Sequence, residues 1–300
     1  MKKIILDIIV IIGTLFILTA CQENQNSEIE KKGIEYYKSH KYEKALIALK
    51  EAADSGSADA AYYLGKMYEK GEGVKKDDEL SFKWYFKGAE KGDEESVKMV
   101  GSLYYFGKGV KQDYKEALQW YLKAAEKIDM KHPDDNDILL MAIIADMYLL
   151  GRGTLQDFSE AAKWFEKAGS YGNVRSQAGL AIMYYAGNGV LTDKKKARYW
   201  AEKAAAQGNN TGEVVLGMLN QFSSPPEKNM EKAVQWYEKA AAQGNTVAQY
   251  QLAEIYEKGE GIPQDLKKAR YYYELAAKGK YEKPQKSLEE FNARHPIENK

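Results

Sequence analysis

Apolar and small residues recur along most of the chain at three- and four-residue steps, in runs about a dozen residues long separated by glycine-rich turns. In the stretch YLGKMYEKG, Leu64, Gly65 and Tyr68 fall at i, i+1 and i+4, one apolar stripe whose small member lets a neighbouring helix approach. In the next run Ala117, Trp120, Tyr121, Ala124 and Ala125 fall at i, i+3, i+4, i+7 and i+8, the spacing of one buried face. Gly71 marks the end of the first kind of helix and Asp113 the start of the second. Asp113 with Glu116, and Asp157 with Glu160, have capping-box spacing. Gly92-Asp93, Gly172-Asn173, Gly208-Asn209 and Gly244-Asn245 each supply a C-terminal stop followed by the next N-cap. No alternating segment of strand length interrupts this, so the pattern predicts an all-α chain.

The helices are copies of one another. Trp84, Trp120, Trp164, Trp200 and Trp236 are separated by 36, 44, 36 and 36 residues, and Tyr272 follows 36 later. The same steps relate Gly65, Gly101, Ala145, Ala181, Gly217 and Ala253, and Tyr68, Tyr104, Tyr148, Tyr184 and Tyr256, with Asn220 as the departure. A weaker copy, KYEKALIALKEAADSG, lies one period earlier. About seven 36-residue helix-turn-helix units are expected from Glu28 to residue 280, with an 8-residue insertion, Ile128 to Asp135, between the third and fourth. Residues 281–300 are expected to cap the last unit. The five tryptophans, being one repeated position, are expected in the core between helices.

The 300 residues carry 44 basic against 44 acidic groups, so no net field favours nucleic acid. A 44% hydrophobic and 12% aromatic content suffices for a core. The single cysteine, Cys21, and three histidines supply neither a disulfide framework nor a His-rich metal centre. Residues 1–20 have the form of a targeting segment: Lys2 and Lys3 precede an apolar run from Ile4 to Ala20, which is short for a membrane span and broken by Asp7. Its end, Leu18-Thr19-Ala20-Cys21, resembles the bacterial lipobox, which implies lipid attachment at Cys21 and a short tether over residues 21–27. An uncleaved membrane anchor is the alternative. Gln22 after the cysteine, by the same resemblance, implies an outer-membrane lipoprotein facing the periplasm.

Two groups of residues have the look of chemistry. A G-x-G before a helix can cradle phosphate. Here, however, Gly71-Gly73, Gly107-Gly109, Gly151-Gly153, Gly187-Gly189 and Gly259-Gly261 follow helices and lack a third glycine, so a repeated structural turn explains them. The stretch from His132 to Asp137 gathers acids beside a histidine as a metal site would, but a polar loop ending in the N-cap Asp137 accounts for these residues fully, and no metal site is expected. No serine or cysteine nucleophile has a motif around it, and no cofactor, catalytic residue or enzymatic activity is expected.

The repeated pattern, with LGKMYEKGEGVKKD and VGSLYYFGKGVKQD joined to ALQWYLKAAEKI and AVQWYEKAAAQGN, resembles the Sel-one-like repeat family, a relative of the tetratricopeptide repeats. The resemblance implies a right-handed α-solenoid that binds a protein or peptide in its concave groove. Unit six departs from it by carrying Ser223-Ser224-Pro225-Pro226 in place of the glycine turn. Exported relatives described as β-lactamase-like or peptidoglycan-active carry repeat cysteines, which this chain lacks. Others resemble periplasmic immunity proteins that neutralise secreted lipase toxins, an alternative to a general envelope scaffold. By analogy with the tetratricopeptide inner face, the partner is expected to meet Tyr105, Phe106, Leu149, Leu150, Ile182, Tyr185, Met218 and Phe222. Along the same three tracks the residues run from Lys66, Glu69 and Lys70 through this apolar middle, with Gln221, to Glu254, Glu257 and Lys258, and this swing from charged to apolar argues for an exposed groove.

Overall fold

The computed structural model describes residues 25–279 and 282–296. The targeting segment 1–20, Cys21 and most of the expected tether therefore lie outside the described residues, as do residues 297–300. The first helix among the described residues, α1, covers 25–38. It is followed by α2 (Tyr42–Asp54), α3 (Ala58–Lys70), α4 (Asp78–Glu90), α5 (Glu94–Phe106) and α6 (Tyr114–Ala125). With residues 152–155 these form one compact body. The second body contains α7 (Asp135–Leu150), α8 (Phe158–Ser170), α9 (Val174–Ala186), α10 (Lys194–Ala206) and α11 (Asn210–Phe222). It continues with α12 (Met230–Ala242), α13 (Thr246–Lys258), α14 (Leu266–Ala277) and α15 (Glu282–Arg294). Within each body successive helices pack on one another, and α9 also meets α11. No strand occurs among the described residues, and none of their helices is long and apolar enough to cross a membrane.

The turn inside each repeat is built from backbone, which explains its tolerance. Gly71 caps α3 at φ +74 and donates its N–H to the Met67 carbonyl. The N–H of the next helix's N-cap then closes the loop on a carbonyl of the first helix: Asp77 on Tyr68 at 2.9 Å, Asp113 on Tyr104 at 3.0 Å and Asp193 on Tyr184 at 2.9 Å. Because the acceptor is main chain, Asn220 serves as well as tyrosine, and Asn229 closes on it at 2.9 Å despite the Ser-Ser-Pro-Pro turn.

Helix starts follow the expected caps with two differences. Asp113 and Asp157 each accept two backbone amides, but the returning half of a capping box does not form, and Glu160 instead pairs with Lys163 at 2.6 Å. At α7 the cap is Asp134 rather than Asp137. Asp134 accepts the Asp137 amide at 2.8 Å while the Asp137 carboxylate reaches back to the Asp134 amide at 3.3 Å, a full box that lengthens α7 to 16 residues.

The core between the two helices of a repeat rests on a small residue facing a ring. A Cβ added to Gly65 would come within 2.7 Å of the Tyr85 ring, one on Gly101 within 2.6 Å of Tyr121, and one on Gly217 within 2.5 Å of Tyr237. Tyr85 and Tyr237 are fully buried, and Tyr121 and Phe165 nearly so. This corrects the expectation for the tryptophans, each one residue earlier. Trp84, Trp120, Trp164 and Trp236 are half-buried, and only Trp200, followed by the small Ala201, is buried. The half-buried rings are covered from outside by a lysine three residues on: Lys87, Lys123, Lys167 and Lys239 lie 4.9, 4.6, 3.8 and 4.3 Å from the ring centroids.

Adjacent repeats are joined through polar groups. Gln177 donates to the Gly169 carbonyl at 2.9 Å, Gln249 to Ala241 at 3.3 Å and Gln285 to Ala277 at 3.4 Å, so a buried or edge glutamine in α9, α13 and α15 satisfies the end of the preceding helix. Glu213 occupies the same place in α11. It is buried, accepts a 2.8 Å bond from Gln243, and burial raises its pKa against the lowering effects of Lys239 and Gln243. A carboxylate there cannot donate. Glu213→Gln is therefore expected to stabilise the fold by about 1 kcal/mol at neutral pH. Because the native pKa is raised, the acid destabilises only once it ionises, so the gain should vanish as pH falls below the ordinary glutamate range. Chemical denaturation of both proteins across that range checks it.

Candidate partner-binding surface

The expected contact residues lie on the first helix of each repeat, in α5, α7, α9 and α11. Four are exposed: Phe106 at 71%, Leu150 at 52%, Ile182 at 42% and Phe222 at 56%. Tyr105, Leu149, Tyr185 and Met218 are half-buried. Phe106, Leu150 and Phe222 are the last residues of their helices, where the αL glycine or Ser223 turns the chain away and leaves the terminal side chain uncovered. Ile182 sits one turn before the end of α9.

The track containing Glu69, Tyr105, Leu149, Gln221 and Glu257 has a different basis from the one its polarity suggested. Each residue lies opposite the buried ring of its own repeat. Tyr85 donates its hydroxyl to Glu69 at 2.9 Å, Tyr237 to Gln221 at 2.8 Å and Tyr273 to Glu257 at 2.8 Å. Where the ring has no hydroxyl, at Phe165, the corresponding track residue is Leu149. Tyr105 instead packs tilted against Tyr121, with centroids 6.5 Å apart. At Glu69, Leu149, Gln221 and Glu257 the polarity thus matches the presence or absence of a hydroxyl on the partner ring, while Tyr105 faces Tyr121 without a hydrogen bond to it. Tyr121, buried against Tyr105, has its pKa pushed up to about 12 by burial.

A second set of contacts was missed. The middle residue of the G-x-G turn reaches back to the preceding repeat: Glu72 accepts from the Tyr37 hydroxyl at 2.6 Å, and Lys108 binds Glu69 at 2.9 Å. Arg152 donates to the Tyr105 hydroxyl. Desolvation raises the Glu69 pKa, but hydrogen bonds from Lys108 and Tyr85 more than offset it, leaving it below the usual glutamate value. The Glu69 and Lys108 charges, 39 residues apart, were the available signal, and a search at the 36-residue step passes over it.

The second glycine of each turn faces protein. An added Cβ at Gly73 would meet Tyr42, at Gly109 the Asp78 carbonyl, at Gly153 that of Tyr114 and at Gly189 that of Phe158, always the first residue of an earlier helix. The glycine thus admits close packing between repeats. In the insertion, His132 lies 3.4 Å from Asp129, and no group of three or more potential ligands among the described residues is arranged to hold a metal.

Paired helices with a small residue against a ring, an αL-glycine turn and an N-cap closing on the first helix define a helical repeat protein. The chain belongs to the Sel1 repeat family: the family model matches residues 58–93, 95–129, 139–173, 174–209, 213–245 and 246–281. The pair α1 and α2 precedes these six matches. A crystal structure of a protective antigen present in uropathogenic Escherichia coli strains, displaying an SLR fold, is 32% identical with a TM-score of 0.72 over 91% of this chain. The match spans 58% of that antigen's length. A Sel1 repeat protein from Oxalobacter formigenes is 30% identical with a TM-score of 0.58, covering 85% of this chain and 98% of its own. An immunity protein from Pseudomonas aeruginosa is 22% identical with a TM-score of 0.39, over 74% of this chain and 81% of its own, a likeness too slight to bear on function. No curated protein matches the chain in sequence. Each body has the all-helical repeat architecture of this family.

Proposed function

We propose that the protein is a lipid-anchored scaffold of the bacterial envelope that binds a protein partner through the exposed ends of the first helices of its repeats. The observation that carries this reading is that Phe106, Leu150 and Phe222 are each left uncovered as the last residue of a first helix, with Ile182 exposed one turn before the end of α9. Scattered apolar residues need no explanation, but their recurrence at one register is what an interaction face requires. Anchoring rests on Cys21 and the lipobox-like residues before it, and an outer-membrane address on Gln22.

Two measurements test the two halves. Cys21→Ser should leave the precursor unprocessed and abolish labelling by a fatty-acid probe; labelling that persists refutes the anchor. Phe106→Ala and Phe222→Ala should each weaken capture of the envelope partner about tenfold while leaving the melting temperature unchanged, as expected for exposed anchors at an interface. Tyr105 is a poorer probe because it also packs on Phe106, Tyr114 and Tyr121. Undiminished capture by both phenylalanine variants would refute this face.

A further inference from the structure

In the first body, two cations near the first-helix ends are held by aromatic rings and not by carboxylates. Glu69 is already held by Lys108 at 2.9 Å and by the Tyr85 hydroxyl at 2.9 Å, while Lys108 also lies 3.8 Å from Asp78. Two nearby cations have no such partner. The Lys66 ammonium, one turn before Glu69 on α3, lies 5.6, 5.4 and 5.6 Å from the ring centroids of Tyr37, Tyr62 and Tyr63. Arg152 lies 5.7 Å from the Tyr105 ring and 5.4 Å from the Tyr114 ring, and one of its N–H groups donates to the Tyr105 hydroxyl. Neither cation has a carboxylate within ion-pair distance among the described residues.

Both side chains are half-buried and held by rings. Such aromatic contacts orient a cation while leaving most of its N–H donors unused, since a ring face accepts weakly and a guanidinium carries five donors. Lys66 lies three residues before Glu69 on α3, Glu69 binds Lys108, and Tyr105, three residues before Lys108, accepts from Arg152, so the two cations flank one run of neighbouring groups. Phe106, the most exposed of the apolar helix ends, touches Tyr105 with ring centroids 5.0 Å apart.

We infer that this face receives an acidic protein segment, whose carboxylates pair with Lys66 and Arg152 while a neighbouring apolar side chain rests on Phe106. The inference rests on the scaffold reading and adds the chemistry of the partner. Charge complementarity selects the occupant: each tyrosine-framed cation lacks one counter-charge, and a bidentate carboxylate is matched to a guanidinium fork. A flat anionic membrane surface is the poorer match, because half-buried cations between rings are reached by projecting carboxylates rather than by a plane of headgroups.

The test uses the full chain in detergent, a fluorescein-labelled decapeptide of glutamate and tyrosine, its counterpart with lysine in place of glutamate, and phosphatidylglycerol vesicles. The acidic peptide should bind with an affinity that falls as salt rises, and the lysine peptide should not. Arg152→Gln and Lys66→Met should each weaken binding about tenfold, whereas Lys111→Gln, an exposed cation on the same body, should not. Melting curves identify any variant that fails to fold, and Arg152→Lys, which keeps charge but loses the fork, should bind with intermediate affinity. Absence of acidic-peptide binding, binding unaffected by both substitutions, or vesicle binding that displaces the peptide and is lost in the same variants would overturn the inference. Peptide binding that is lost as expected, while Phe106→Ala and Phe222→Ala leave capture of the envelope partner intact, would support the acid-binding face and refute the apolar one.

Discussion

Tyr85→Ala is expected to destabilise the first body by about 3–5 kcal/mol, the cost of emptying a fully enclosed aromatic site. The Tyr85 ring has no exposed surface, its edge fills the space that Gly65 leaves on α3, and its hydroxyl bonds Glu69 at 2.9 Å. Backbone on both sides prevents collapse into the void. Trp84→Ala, one residue earlier and in a larger side chain, should cost clearly less, because that ring is half-buried and lies under the flexible Lys87 side chain. Tyr85→Phe keeps the ring and loses one hydrogen bond, an effect of about 1 kcal/mol. The midpoints of chemical denaturation should rank wild type, Tyr85→Phe, Trp84→Ala and Tyr85→Ala in that order. A tryptophan variant less stable than Tyr85→Ala would place the core at the repeated tryptophans after all.

Gly109→Ala is the second large effect. The residue sits at φ +70, and a Cβ there would lie 1.9 Å from the Asp78 carbonyl oxygen at the start of α4. Left-handed backbone costs a non-glycine residue about 1–2 kcal/mol, and prising the turn away from α4 adds a packing term of about 1–3 kcal/mol. Gly92 provides the control, with φ +93 and nothing within 4 Å of its added Cβ, so Gly92→Ala should show the backbone cost alone. Equal losses in the two variants would mean that the turn does not depend on close approach to the preceding repeat.

Much of this architecture can be read from residue steps. The recurrence of Gly65, Gly101 and Gly217 at a fixed interval marks where a helix must be thin, and the G-x-G turns mark where the chain reverses. The repeat step alone did not reveal which neighbour fills the thin place. Trp84 and Tyr85 are adjacent, both aromatic and both periodic, and a rotation of one residue about α4 decides which is enclosed. The start of α7 was missed for a similar reason, since Asp134 and Asp137 are both competent caps and the choice is made by the reciprocal bonds of a full box. The site was legible in part. Phe106, Leu150 and Phe222 were identifiable as helix-end positions preceding a turn. The polarity of Glu69, Leu149 and Glu257 was misread as a groove signal because it is set by the presence or absence of a hydroxyl sixteen residues on, a pairing visible only once the two helices are packed. Arg152 escaped notice because the insertion displaces it from the interval at which Lys108 meets Glu69.

Site-specific photo-crosslinking tests the central claim most directly. A benzophenone side chain would be placed in turn at Phe106 and Phe222, at the ends of first helices, and at Tyr199 and Tyr271, comparably exposed aromatics on the second helices α10 and α14. Hydrophobicity and accessibility are matched, so only the face differs. In intact envelopes the positions at Phe106 and Phe222 should yield a covalent adduct with the same partner protein, and those at Tyr199 and Tyr271 should yield none. Adducts formed from Tyr199 and Tyr271 but not from Phe106 and Phe222 would contradict the assignment of the interaction surface.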